Sequence, residues 1–192
     1  MKFEGSGLQP RRVVLDALAM RRALRRVAHQ IVEGAGDLST LALIGVRTRG
    51  VPLARRLQAV IAEAEGFTAP VGELDITLYR DDVYNGLQVP EVRPTHLPFA
   101  VDGRNVVLVD DVLFTGRTVR AALDAVMDWG RPRCIRLAAL VDRGHRELPL
   151  HGDYVGATVE TAFAEAVQVR LAEIDGEDEV VLWSPSERGG ER

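Results

Sequence analysis

The stretch VVLVDDVLFTGRT, residues 106–118, decides how the rest of the sequence is interpreted. An apolar run rich in valine ends in two adjacent carboxylates, Asp110 and Asp111, and a Thr-Gly-Arg-Thr turn then opens a helix. The N–H groups and hydroxyls of such a turn can bind a phosphate, whereas carboxylates accept hydrogen bonds from sugar hydroxyls. An isolated Asp-Asp pair is also compatible with a solvated turn. In this context the stretch predicts a site for a phosphorylated sugar at the end of a strand.

Length and composition indicate one domain with one core. The chain has 192 residues, of which 46% are hydrophobic and 27% charged, and its formal net charge is -4. This balance is ordinary for a globular protein. The first residues contain no signal-peptide core, and no apolar run reaches the roughly 18 residues of a membrane span. We therefore expect residues 1–192 to form a single cytoplasmic domain that does not enter a membrane.

Several classes of site are excluded by residues that the sequence lacks. Lys2 is the only lysine, so fixed positive charge elsewhere is carried by arginine, which stays protonated and cannot act as a base. Cys134 is the only cysteine, so the chain has no internal disulfide. No His/Cys/Asp cluster has the spacing of metal ligands. A Walker loop and a dinucleotide fingerprint are also absent.

Strand and helix patterns alternate along the chain. Four short apolar runs are typical of buried strands: residues 41–46, 71–79, 106–109 and 134–141. Shorter apolar runs at residues 154–155, 167–171 and 180–183 predict further short strands or edges. Helical spacing of apolar residues predicts three helices: residues 17–32, 52 to about 65, and 119–128. The alternation predicts an α/β fold with a mostly parallel central sheet and helices on both faces. Ligands bind beyond the carboxyl ends of such strands, where the loops carry Arg49, Arg80, Asp110, Asp111 and Arg143.

Residues 106–118 resemble the phosphoribosyl pyrophosphate (PRPP) signature of the type I phosphoribosyltransferases. Further stretches resemble the PyrR family of pyrimidine-operon attenuation proteins that are also uracil phosphoribosyltransferases: RRAL at 21–24, AH at 28–29, TRG at 48–50, LDITLYRDD at 74–82 and VDRGHRELP at 141–149. The similarity extends from about residue 15 to about residue 182. It implies the type I phosphoribosyltransferase fold, with a flexible loop at about 80–99 and a small hood from about 142–183 that receives an N-terminal contribution.

The resemblance implies how PRPP is bound. The loop Thr48-Arg49-Gly50 would hold the diphosphate, and Arg80 would close over the leaving pyrophosphate. The ribose hydroxyls and the 5′-phosphate would be bound by one continuous run: Asp110, Asp111, Val112, Leu113, Phe114, Thr115, Gly116, Arg117 and Thr118. Catalysis is assigned to Arg80, Asp110 and Asp111. A substrate-bound Mg²⁺ would lie near the acidic pair, with no dedicated cage of protein ligands.

Phe114 is a departure from the family. Purine-specific relatives carry an acid at this position, and PyrR proteins usually carry tyrosine. Phenylalanine cannot act as an acid or a base, which fits a pyrimidine substrate whose N1 proton is already weakly acidic. Contacts with the base are predicted at Val141, Asp142, Arg143 and Val155.

The predicted helix 17–32 has a cationic face formed by Arg22, Arg25, Arg26 and His29. Such a face is compatible with simple solvation. The resemblance implies instead that it binds a messenger leader RNA, together with His145 and Arg146. After Gly156 the family usually has a Lys-Asn-x-Pro-Thr-Ser run, whereas this chain has ATVETA at 157–162. A lysine is therefore lost and a glutamate gained where phosphate neutralisation would set affinity.

Two functions follow as hypotheses. The first is a uracil phosphoribosyltransferase that forms UMP and pyrophosphate from uracil and PRPP. The second is a UMP-responsive RNA-binding attenuator of pyrimidine biosynthesis operon transcription. Both activities can coexist; alternatively the protein is a phosphoribosyltransferase, for uracil or another base, or a nucleotide-sensing regulator that retains only one of them. The resemblance also implies a homodimer or a higher homo-oligomer.

Overall fold

The computed structural model describes residues 7–79 and 93–186. Its strands and helices follow one another in this order: β1 (Leu8–Leu15), α1 (Ala17–Ala35), β2 (Leu41–Val46), α2 (Gly50–Glu65), β3 (Val71–Leu74), β4 (Asn105–Leu113), α3 (Arg117–Met127), β5 (Cys134–Asp142), β6 (Tyr154–Thr158), β7 (Ala166–Arg170), α4 (Ala172–Asp175) and β8 (Glu179–Pro185). None of these helices is long and apolar enough to cross a membrane.

A five-stranded sheet with the order β3-β2-β4-β5-β6 forms the centre of the molecule. All four neighbouring pairs are parallel. Every residue of β2 is buried, as expected of a parallel strand covered on both faces. The predicted α/β fold with a mostly parallel sheet is therefore confirmed.

Strand β4 shows how the two faces of the sheet are filled. Val107 and Val109 pack in a cluster with residues of α1 and α2, whereas Val106 and Leu108 pack in a second cluster with residues of α3. Successive side chains of a strand point to opposite faces, so a continuous apolar run supplies both layers at once. Each fully buried side chain of this size stabilises the fold by about 2 kcal/mol.

A second, smaller sheet has the order β1-β8-β7, and we call this sheet, together with α4 and residues 159–165 that lead into it, the hood. Its pairs are antiparallel, and the N-terminal strand β1 contributes one edge. Val169 and Val180 of the hood belong to the same core cluster as α1 and α2. The strands near 167–171 and 180–183 were predicted from apolar runs. Strand β1 was not, because Pro10, Arg11 and Arg12 interrupt its pattern.

The predicted strand 71–79 is too long. Strand β3 ends at Leu74, and residues Thr77–Tyr79 form a 3-10 helix. The cause is Asp75, whose carboxylate accepts hydrogen bonds from the N–H groups of Thr77 at 2.7 Å and Arg93 at 2.6 Å. An aspartate that bonds to nearby backbone favours a turn over a continuing strand. Part of the predicted loop 80–99, residues 80–92, lies outside the described residues.

Candidate functional site

The loops that follow β2, β4 and β5 meet at the carboxyl edge of the parallel sheet. Gly50 allows the first of them to pass beside the second. A Cβ atom built on Gly50 would lie 2.2 Å from the carbonyl oxygen of Val109, closer than any real contact allows. Only glycine therefore lets the segment Thr48-Arg49-Gly50 approach the backbone at Asp110.

The acidic pair occupies the last part of β4. Asp110 is only 8% exposed, and its Oδ1 accepts a hydrogen bond from the N–H of Asp111 at 2.9 Å. Asp111 is half-buried, and its own Oδ1 accepts from the N–H of Val112 at 3.0 Å. The pair is thus fixed by its own backbone at the edge of the sheet, and it does not lie on a solvated turn.

Two helices begin at this edge, and neither has a hydrogen bond from its N-cap side chain among the described residues. Arg49 precedes α2 and does not bond to the first turn, whereas Gly116 precedes α3 and has no side chain; the N–H of Arg117 makes one long hydrogen bond, 3.4 Å, to Thr115 Oγ1. Helix α1, which begins elsewhere, is capped by Asp16, whose carboxylate accepts from the N–H of Ala19 at 2.7 Å. Uncapped N–H groups and the helix dipole favour the binding of anions. The arrangement can therefore attract anions at two separate places, Thr48–Gly50 and the turn Thr115, Gly116, Arg117 and Thr118.

The loop after β5 is hydrogen-bonded to the turn after β4. The N–H of Arg143 donates to Leu113 O at 3.1 Å, and the N–H of Glu147 donates to Thr115 O at 2.9 Å. The guanidinium of Arg146 donates to Phe114 O at 2.6 Å and forms an ion pair with Asp142. Arg146 further donates to the carbonyls of Leu150 and Gly144. The guanidinium of Arg146 is therefore neutralised and hydrogen-bonded within the protein, and it does not face solvent.

Arg49, a predicted diphosphate ligand, is paired with an acid that sequence reasoning missed. Its guanidinium donates to both carboxylate oxygens of Asp175 in α4, at 2.7 and 3.3 Å. Burial raises the pKa of Asp175, but hydrogen bonds from the N–H of Leu171 and from Arg49 outweigh this effect, and the pKa lies below its ordinary value. The ion pair links the loop after β2 to the hood.

Arg56 of α2 makes a second link of this kind. It forms ion pairs with Glu173 and with Asp178, the latter at 2.7 Å. The hydrogen bond to Glu173 is the largest of the effects that raise the pKa of Arg56. The same bond lowers the pKa of Glu173. Arg49 and Arg56 together fasten the hood to α2.

The residues predicted to contact the base are only partly brought together. Val141 and Asp142 lie at the carboxyl end of β5, and Arg143 follows them. Val155 pairs with Ala139, further back in the sheet. Val159 lies nearer to the edge, since its N–H donates to Asp142 O at 2.8 Å. No sequence motif marked Val159.

Arg143 is buried without a carboxylate among its hydrogen-bond acceptors. Its residue exposure is 7%, and its guanidinium donates to the carbonyls of Ala162 at 3.1 Å and Phe163 at 3.4 Å. The same guanidinium lies over the Phe114 ring, 4.0 Å from its centroid. Desolvation lowers the pKa of Arg143, which nevertheless stays charged because arginine is so strongly basic. Arg143 therefore brings a positive charge to the sheet edge at the end of β5.

The residues predicted to bind RNA occupy two different settings. Arg22, Arg25, Arg26 and His29 are exposed on α1, and Arg26 also donates to Gly156 O at the neighbouring β6. His145 is half-buried, adopts a left-handed conformation with φ of 60°, and its Nε2 lies 2.7 Å from Thr161 O. Arg80, the remaining predicted site residue, lies outside the described residues.

A parallel sheet with an acidic pair and two helix N-termini at its carboxyl edge fits a phosphoribosyltransferase. A family model described as "Phosphoribosyl transferase domain" matches residues 12–174. Hypoxanthine phosphoribosyl transferase of Trypanosoma cruzi has a similar structure, with a TM-score of 0.71 at 18% identity over 92% of both chains. At that identity the likeness concerns the fold.

Curated relatives narrow this class to one family. "Bifunctional protein PyrR" of Pelotomaculum thermopropionicum is 58% identical over 91% of this chain and 96% of its own length. The proteins of the same description from Thermus thermophilus and Chloroflexus aurantiacus are 58% and 59% identical, each over 88% of this chain and over 94% and 93% of their own lengths. The chain belongs to the PyrR family, so the resemblance found in the sequence is confirmed.

Proposed function

We propose that this protein transfers the phosphoribosyl group of PRPP to uracil, forming UMP and pyrophosphate, and that it is also a UMP-responsive RNA-binding attenuator of pyrimidine biosynthesis operon transcription. One observation carries the enzymatic part: the pair Asp110 and Asp111 shares one sheet edge with the start of α2, which approaches it at Gly50, and with the start of α3, which follows it in the chain. A phosphorylated ribose with a diphosphate leaving group needs anion sites on both sides of its hydroxyls. The family of the chain supports uracil as the acceptor.

In the reaction the bond from ribose C1 to the pyrophosphate oxygen breaks, a bond from C1 to uracil N1 forms, and the N1 proton is released. Negative charge accumulates on the pyrophosphate while positive charge grows on the ribose ring. The N-terminus of α2, Arg49 and Arg80 would neutralise the first charge, and the fixed carboxylates of Asp110 and Asp111 would stabilise the second. Such preorganised charges are commonly the largest contribution to catalysis.

A substrate-bound Mg²⁺ fits this set of donors. Among the described residues, no three His, Cys, Asp or Glu side chains converge on a metal site, and magnesium commonly takes one or two carboxylates together with substrate phosphates and water. Asp110 and Asp111 would hold the ion through the ribose and diphosphate oxygens. When bound, it would neutralise part of the charge on the leaving pyrophosphate.

The base would be held at the end of β5. Val141 supplies apolar surface, Asp142 supplies a carboxylate that is braced by Arg146, and Arg143 supplies a positive charge. A positive charge near the base favours the loss of the N1 proton, so Phe114 need not act as a base. Closure of the loop 80–99 would exclude water and protect PRPP from hydrolysis.

The regulatory part rests on the exposed face of α1. Arg22, Arg25, Arg26 and His29 would bind the phosphates of the RNA. His145 and Arg146 are not part of this proposed surface, because the His145 ring is bound to Thr161 and packed against Phe114 and Phe163, and the guanidinium of Arg146 is engaged within the protein. We also propose a homodimer or a higher homo-oligomer, which light scattering of the purified protein would test.

The enzymatic proposal is tested by incubating the purified protein with uracil, PRPP and Mg²⁺ and measuring UMP. We expect UMP to form, and we expect Asp111→Asn to lower kcat/KM for PRPP by about 100-fold, as for loss of a charge that acts in the transition state. Asp124→Asn, on the exposed surface of α3, is the matched control. Absence of UMP, together with unchanged PRPP binding by Asp111→Asn, would refute the proposal.

The regulatory proposal is tested by the binding of a pyrimidine-operon leader RNA at several salt concentrations. We expect UMP to tighten binding, salt to weaken it, and the double variant Arg22→Ala/Arg25→Ala to lose affinity. Arg131→Ala, an exposed arginine far from α1 in the sequence, is the control. If UMP forms but the RNA binds no better than an unrelated RNA, the protein retains the enzymatic activity alone.

A further inference from the structure

Three rings from three separate segments meet beside the acidic pair. Phe114 follows β4, His145 follows β5, and Phe163 lies between β6 and β7. The ring centroids of Phe114 and His145 are 5.9 Å apart, those of Phe114 and Phe163 are 5.6 Å apart, and those of His145 and Phe163 are 5.7 Å apart. These separations and the tilted and edge-on geometries are those of interacting aromatic pairs. We call this group the ring cluster.

The ring cluster is locked by hydrogen bonds to the backbone of the hood. Nε2 of His145 lies 2.7 Å from Thr161 O, and Arg143 donates to the carbonyls of Ala162 and Phe163. Arg143 also covers one face of the Phe114 ring at 4.0 Å. The Phe114 ring is therefore held on its face by a guanidinium and at its periphery by two rings.

The high exposure of Phe163 shows that it is not simply a residue of the hydrophobic core. Its relative exposure is 65%, so truncating it removes little buried surface. Isolated exposed apolar residues are common and need no explanation. Phe163, however, contacts both other rings, and its own carbonyl is bound by Arg143. It is the member of the cluster that can be altered with the least effect on folding.

The fold does not by itself determine whether the substrate base has one ring or two. The Trypanosoma cruzi protein named hypoxanthine phosphoribosyl transferase has the same fold, with a TM-score of 0.71, and hypoxanthine has two fused rings. In the present chain, a bulky ring at Phe114 stands between the acidic pair and the hood. If that ring were free to rotate away, a larger base would gain room.

We infer that Phe163 is a specificity-determining positioning residue: with His145 it fixes the Phe114 ring against Arg143, so that the base side of the site accepts a one-ring base and rejects a two-ring base. This inference rests on the proposed function. Phe163 acts through Phe114 and takes no part in the chemical step. Its loss should therefore change the choice and binding of the base while leaving the handling of PRPP unchanged.

The experiment compares the wild type with Phe163→Ala in steady-state assays that vary uracil or, separately, hypoxanthine at saturating PRPP and Mg²⁺, and that vary PRPP at saturating uracil. We expect the KM for uracil to rise about tenfold in Phe163→Ala, the scale of one lost aromatic pair. The ratio of kcat/KM for uracil to that for hypoxanthine should fall, and the KM for PRPP should not change. Phe163→Tyr should restore both quantities, because it keeps the ring.

Met127→Ala is the matched control, because Met127 is a similarly exposed apolar residue, 56% exposed, at the far end of α3. It should leave every kinetic parameter unchanged. Wild-type UMP formation combined with an unchanged base preference in Phe163→Ala would overturn the inference and leave the proposed function intact. An equal loss of kcat with both bases would overturn it too, since that result indicates a general structural role. Failure of the wild type to form UMP would refute the proposed function, and the inference with it.

Discussion

The two halves of the site are built in opposite ways. In the proposed phosphoribosyl half, the ribose and 5′-phosphate contacts lie within one continuous stretch from Asp110 on β4 to the start of α3, and the diphosphate loop Thr48-Arg49-Gly50 joins this stretch at Gly50. The base half is assembled from segments far apart in the chain, since Phe114, Arg143 and Phe163 come together only in the fold. A continuous stretch carries its geometry locally, whereas an assembled wall depends on tertiary contacts. Substitutions in the phosphoribosyl half should therefore change the use of PRPP, and substitutions in the base half should change the use of the base.

Gly50→Ala should have the largest effect of these substitutions, and the quantity affected should be kcat/KM for PRPP. The added methyl group would meet the carbonyl oxygen of Val109 at 2.2 Å, so the loop after β2 must move away from the acidic pair. A displacement of about 1 Å in a catalytic arrangement can cost about 100-fold in rate. We expect kcat/KM for PRPP to fall by that order, with circular dichroism confirming that the variant is folded. A folded variant with normal PRPP kinetics would contradict this view of Gly50.

Arg143→Met should damage the base half and the hood together. The substitution removes a charged donor from two backbone carbonyls in a buried setting, and such hydrogen bonds contribute about 2 kcal/mol. We expect urea unfolding to detect a loss of that size and the KM for uracil to rise, while the KM for PRPP changes less. If the KM for PRPP rises as much as that for uracil, the two halves are not separable at this residue.

Asp175→Asn should have a smaller effect, in the direction of tighter PRPP binding. Asp175 neutralises Arg49 through an ion pair whose side chains are only 11% and 17% exposed, so Asp175 competes with the diphosphate for the guanidinium. Without the negative charge, Arg49 would attract the diphosphate more strongly, so we expect the KM for PRPP to fall about threefold, which corresponds to about 0.6 kcal/mol. Asp178→Asn, which affects Arg56, should leave it unchanged. A rise in the KM for PRPP in Asp175→Asn would contradict this expectation, and it would indicate that the ion pair holds Arg49 in the position that binds PRPP.

The smallest effect should be that of Asp178→Asn on how the free energy of unfolding changes at low pH. The pKa of Asp178 is raised by burial but brought below its ordinary value by Arg56 and by the N–H of Ala172. A carboxylate with a lowered folded pKa stabilises the fold above its unfolded pKa, about 3.9, and this contribution is lost as pH falls through the folded pKa. Between pH 5 and pH 3, Asp178→Asn should therefore lose less unfolding free energy than the wild type. Equal losses in the two proteins would contradict this contribution.

Local patterns in the sequence predicted the centre of the fold. The strands near 41–46 and 134–141 were recognisable because parallel strands buried on both faces are continuous apolar runs. Asp110 and Asp111 were recognisable because the strand, the acids and the helix entry are adjacent in sequence. The end of β3 at Leu74 was missed, since one carboxylate, Asp75, diverts the chain by bonding to backbone as far away as Arg93.

The partners of the site residues could not be predicted in the same way. Arg49 pairs with Asp175 across the interface with the hood, and the two are separated by 126 positions in the chain. Phe163 lies in a segment with no strand or helix pattern, and its position depends on hydrogen bonds from Arg143 and packing against His145. Arg146 looked like a surface cation, but its guanidinium binds Asp142 and the carbonyl of Phe114. Such partners become visible only when the segments are packed together.

The division of the site is tested most directly by measuring the KM of both substrates for Asp111→Asn and Phe163→Ala in a single UMP-forming assay. We expect Asp111→Asn to impair the use of PRPP at an almost unchanged KM for uracil, and Phe163→Ala to raise the KM for uracil at an unchanged KM for PRPP. If both variants change the same parameter to the same extent, the site is one cooperative unit, and its separation into a phosphoribosyl half and a base half is wrong.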